Sequence, residues 1–201
     1  MKDNRYVWNP LRLLSPKLDS EVERVEAGPE EEGFVCDTPE RTVVKMLNQM
    51  IEMTKILQTG FKSEQEDKLC DCEALFEQVR EQEKHCTTDL VKEYEVLGEN
   101  IFRVAIRLPS RLERVSMMLE TLMICLKNKI KDRVPFSENA HKELDAIFEL
   151  TVDILHNLRD SFLTRNKFIL DHVKSQAGQL ADLVEKARFA HWDRLERGFC
   201  S

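Results

Sequence analysis

Arg107–Leu122, RLPSRLERVSMMLETL, is the stretch on which the fold turns. Leu108, Leu112, Val115, Leu119, Leu122 and, just beyond, Leu126 recur at steps of three and four, which places them on one face of an α-helix. That face needs a partner, and the same period supplies several. On the N-terminal side, Val43, Met46, Met50, Met53 and Leu57 form one stripe, with Leu47, Ile51 and Phe61 beside it. A second runs Leu69, Cys72, Phe76, Val79, then after a gap at Gln82 and Glu83, Cys86, Leu90 and Leu97. Downstream come Leu144, Ile147, Ile154, Leu158 and Phe162, then Ile169, Val173, Leu180, Val184 and Ala187. With 33% charged residues, only six Gly and six Pro, and two Trp and two Tyr, the composition agrees with the periodicity. The chain is expected to be all-α.

Helix boundaries follow from capping chemistry. Thr38 and Pro39 open the first helix as cap and first helical residue, and Gly60 closes it. The second is expected from Gln65 to Leu97, ended by Gly98, and the third from Asn100 to Asp132, kinked at Pro109. Ser137 caps the fourth; the fifth follows Arg165 and Asn166 and stops at Gly198. The chain therefore divides into an irregular N-terminal segment with an acidic linker (1–37), a three-helix bundle (38–132) and a two-helix hairpin (133–201). Within the first segment, Pro10 and Pro16 interrupt an apolar cluster of Trp8, Leu11, Leu13, Leu14 and Leu18 suited to docking on the bundle. Ser20 to Phe34 is an acidic spacer.

A net charge of −7 argues against nucleic acid as a partner, since phosphate recognition requires a basic face. No window approaches the ~20 apolar residues that span a bilayer, and the N-terminus lacks the apolar core of a secretory signal. A cytoplasmic protein without membrane insertion is expected. Of the six cysteines, Cys70 and Cys72 are two apart, which rotates them by about 200° on a helix and prevents joint coordination of one ion. Reduced thiols are expected throughout.

Within the opening stretch, LERVSM (Leu112–Met117) resembles the LERIGD signature of the PhoU family, cytoplasmic helical proteins of phosphate transport and signalling. The ending HWDRLERGFC is similar to the H-x-x-R-L-x-x-G-x-C pattern of PhoU-like domains attached to sodium/phosphate cotransporters, with His191, Arg194, Leu195, Gly198 and Cys200 in register. Thr38–Glu40, preceded by Leu18 and Asp19, resembles the start of the same domain. The resemblance implies two three-helix bundles, the second repeating the first, and here the counterpart of the third helix is missing from the second repeat. It also implies metal clusters held by Glu and Asp pairs four residues apart. This chain keeps Glu83 and Glu113, but Thr87, Met117, Ala177 and Ala181 stand where partner carboxylates are expected. Two isolated carboxylates are a poor site for a hard cation.

No glycine-rich phosphate loop, HExxH or G-x-S-x-G occurs, so no enzyme is expected and no catalytic, cofactor or metal-binding residue is assigned. The resemblance implies a regulatory or adaptor protein that binds a phosphate transporter or its associated sensor kinase, with no cofactor. The alternative is a metal-dependent phosphate-binding or storage protein using Glu81, His85, Asp89, Glu113 and Glu120, and a third reading is a helical scaffold unrelated to phosphate. His191 and Arg194, three residues apart, offer either an anion site or a packing contact. Two helices bury only the sector between them, so the hairpin should expose apolar surface and favour a homodimer through the fourth and fifth helices.

Overall fold

Thr38 extends its chain as a cap, its hydroxyl accepting a hydrogen bond from the Arg41 amide, and Pro39 follows in the first turn of α1 (Pro39–Ser63). The computed structural model describes residues 38–198; the Trp8–Leu18 cluster, the acidic spacer, Cys36 and Cys200 lie outside them. α1 is apolar around most of its circumference. Met46, Leu47, Met50, Met53 and Leu57 are wholly inaccessible, each worth roughly 1.5–3 kcal/mol of burial. The methionines are core packing, where an unbranched thioether fills irregular gaps.

Gly60 does not end α1, which continues to Ser63 and closes on the left-handed residue Glu64. The glycine is there for closeness: a Cβ at this position would stand 2.4 Å from Leu69 Cδ2. Leu69 ends a 3-10 turn (Glu66–Leu69) that folds back over α1 and leads into α2 (Asp71–Lys92). The expected helix from Gln65 to Leu97 is thus divided. Glu93 interrupts it, and a short α3 (Tyr94–Ala105) follows, itself broken at Gly98 with φ 72°.

Pro109 also behaves differently from expectation. It lies in the first turn of α4 (Leu108–Lys131), after Arg107 as cap. There the missing N–H would have had no intrahelical acceptor, so proline starts this helix instead of kinking one. α5 (Glu138–Thr164) begins with Ser137, whose hydroxyl accepts from the Ala140 amide, and α6 (Lys167–Glu196) begins with Asn166 accepting from Phe168. Among the described residues there is no strand.

α1, α2 and α4 pack mutually, with α3 a short spur between α2 and α4. α5 lies on the remaining side of α1, and α6 packs on α5 alone among the described elements. Phe148 and Leu155 of α5 join the core cluster that runs through α1, α2 and α4, with Leu144, Leu158 and Phe162 packed against it. The fourth predicted helix therefore has its stripe covered by α1, whose broad apolar surface serves both sides. Open apolar surface in the hairpin is concentrated on α6.

Candidate functional site

The carboxylates that could have formed a metal site are drawn into separate pairs. On α2 the Thr87 hydroxyl donates to the Glu83 carboxylate at 3.0 Å, one turn away. Glu120 of α4 accepts from Arg80 of α2 at 2.6 Å, and Arg80 also meets Glu77. Lys92 pairs with Asp89 at 2.7 Å. Glu81 and His85 stand 3.8 Å apart on the exposed face of α2. Glu113 precedes the half-exposed Met117 by one turn of α4. Among the described residues no three His, Cys, Asp or Glu side chains are placed to hold one ion, and the set Glu81, His85, Asp89, Glu113 and Glu120 is not brought together.

The cysteines are separated in the same way. Cys72 is fully buried and Cys70 exposed, as a 200° rotation requires. The Cys86 thiol donates to the Pro39 carbonyl at 3.5 Å. Burial pushes the Cys72 and Cys86 thiols up to about 11, which keeps both protonated and poor as ligands at neutral pH.

Arg194 does not reach outward for an anion with His191. Its guanidinium grips both Glu143 oxygens at 2.7 Å across α5 and α6, a fork-to-fork pair that fixes the end of α6. Lys129 is a feature that sequence reasoning missed. It is only 9% exposed, pairs with Glu64, and lies 4.9 Å from the Phe136 ring centroid. The pairing holds the Glu64 carboxyl below its usual range, first through the hydrogen bond from Lys129. Lys129 closes a cleft of about 350 Å³ between α4 and α5, floored by Thr54 and Phe61 of α1. The available signal was its position, three residues after Leu126 on the α4 stripe.

Two apolar surfaces remain open. On α6, Leu170, Ala177, Ala181, Val184 and Leu195 recur on one flank beside the α5 interface, and all are exposed. Ala177 and Ala181 keep that flank shallow, and Arg188, one turn after Val184, places an exposed charge on it. The second surface is a groove of about 720 Å³ at the N-terminal end of α1, walled by Val43 and Leu90 on one side and by Leu97, Ile101 and Val104 of α3 on the other. α3 buries no residue, and Ile101 and Val104 are 60% and 75% exposed.

The chain matches no family model, no curated protein and no solved structure.

Proposed function

We propose that this chain is a non-enzymatic, PhoU-like adaptor of phosphate transport or phosphate signalling, which acts by binding a phosphate transporter or its sensor kinase without a metal centre. The observation that carries the reading is the unequal pair of helix sets. α1 and α2 are completed by α4, and α5 is covered by α1, whereas among the described elements α6 packs on α5 alone and carries an exposed apolar flank. A helix received there buries apolar area on both partners, the general mode of helix-in-groove recognition. In the free protein a second copy supplies that cover, giving a two-fold dimer through α5 and α6; in the complex a helix of the transporter or kinase takes its place. The internal pairing of Glu83, Glu120 and Asp89 supports binding without metal, because a hard cation wants six or more oxygen ligands.

The test is binding of the purified chain to the cytoplasmic parts of the phosphate transporter and sensor kinase from its own cell, alongside elemental analysis of protein prepared without chelator or metal-binding tag. Binding that Val184→Asp weakens at least about tenfold supports the adaptor. Binding to neither partner overturns it. Stoichiometric iron, zinc or magnesium that is lost in Glu113→Ala supports the metal-dependent phosphate-binding alternative instead.

A further inference from the structure

The groove at the N-terminal end of α1 is separate from the α6 flank, and its occupant is indicated by where the chain enters it. Thr38 and Pro39 line the groove. Thr38 is also where the N-terminal 37 residues join the described fold, so that segment is delivered to the groove mouth. Its apolar residues, Trp8, Leu11, Leu13, Leu14 and Leu18, need cover, and α3 presents Ile101 and Val104 without cover among the described residues. The 19 residues from Asp19 to Asp37 can span about 60 Å when extended, ample for a return to a groove that begins at Thr38.

Charge agrees. Residues 1–18 carry Lys2, Arg5, Arg12 and Lys17 against Asp3 alone. The groove lining carries Glu40 and Glu93 against Arg111, and α3 adds Glu95 and Glu99; Glu40 is paired with Arg165 and Glu99 with Arg103, which leaves a small acidic excess. A basic apolar segment therefore meets a mildly acidic apolar trough. Tethering makes the encounter intramolecular, so modest intrinsic affinity suffices. A volume of about 720 Å³ is of the size that accommodates several large side chains.

We infer that the Trp8–Leu18 segment of this same chain docks in the groove between α1, α2 and α3. The inference is independent of the phosphate reading, which concerns the opposite requirement of α6 for a partner.

Trp8 is one of two tryptophans, so Trp192→Phe makes it the sole reporter in the full chain. Trp192 is half-exposed, and its replacement removes no core contact. The expected result is blue-shifted Trp8 emission, shielded from iodide and independent of protein concentration. Adding Ile101→Asp with Val104→Asp should red-shift the emission and raise quenching severalfold while far-ultraviolet circular dichroism stays unchanged, since both side chains are exposed. Leu11→Asp with Leu14→Asp should free Trp8 equally, from the other side of the contact. A Trp8 that is solvent-exposed in the Trp192→Phe chain overturns the inference. So does one that stays shielded in the folded groove variant, or one whose shielding is lost on dilution, which would assign the contact to a second copy.

Discussion

α1 and α6 are helices of comparable length, 25 and 30 residues, and both carry regular apolar stripes, yet α1 buries twelve of its residues and α6 only Val173 and Gln176. The difference lies in neighbours. α2, α4 and α5 surround α1, and α5 alone touches α6 among the described elements. A stripe therefore records a demand for burial, and topology decides whether the demand is met inside the chain. Where it is met, substitutions should act on stability; where it is left open, they should act on association.

The largest expected effect comes from the closed side. Leu57→Ala empties a site with no solvent access and should cost about 3 kcal/mol in urea unfolding, as buried leucine truncations do. A loss below about 1 kcal/mol would mean that α1 is not the shared centre of the packing.

Arg194→Ala tests how α6 is held at all. Its forked pair with Glu143 is mostly shielded from water, so its removal should cost about 1–2 kcal/mol and speed amide exchange in the last turns of α6 while leaving α1 unchanged. Acceleration spread evenly through α1 would dissolve the contrast between the two helices.

Acid gives a smaller effect with a definite sign. His156 of α5 is held below its ordinary 6.5, chiefly by burial and then by Arg159, so the unfolded chain binds its proton more readily than the folded one. Stability should thus decline as pH falls through 6.5 towards the folded value, and His156→Gln should remove that part of the slope. Glu64 and Asp145, both lowered mainly by lysine hydrogen bonds, add a second loss as pH drops below 4.5 and 3.8. An unchanged slope in His156→Gln would exclude the histidine from the linkage.

Val184→Asp should be the mildest for folding, within about 0.5 kcal/mol, because the side chain is already 45% exposed. Light scattering should nevertheless show the proposed dimer converted to monomer. A wild-type monomer would assign the α6 flank to a heterologous partner only.

Helix identity and the starts of α1, α5 and α6 were legible because Thr38, Ser137 and Asn166 act through side-chain bonds to amides two or three residues away. Gly60 and Pro109 were not, for a common reason. Each residue type both ends helices and serves other positions, and which role applies depends on a distant fact: Leu69 folding onto Gly60, or the chain breaking at Arg107. The carboxylates show the same limit. Glu83 with Thr87 is a spacing within one helix and could be read directly, whereas Arg80 with Glu120 depends on the relative register of α2 and α4. Lys129 escaped because a lysine on an apolar stripe signals burial only once Glu64 and Phe136 are seen around it.

The two-sided burial of α1 sets a schedule during synthesis. Gln58 bonds to Asp145, 87 residues later, and Phe61 packs on Phe148 in the same region. At about 5–20 residues per second, a ribosome needs roughly 4–17 s to add the residues that separate these partners. For that interval the α5-facing side of α1, with Thr54 and Phe61, waits beside a bundle that α2 and α4 can already complete. A nascent chain halted between Lys131 and Glu138 should therefore present that side to holding chaperones, and extension through Leu155 should release it.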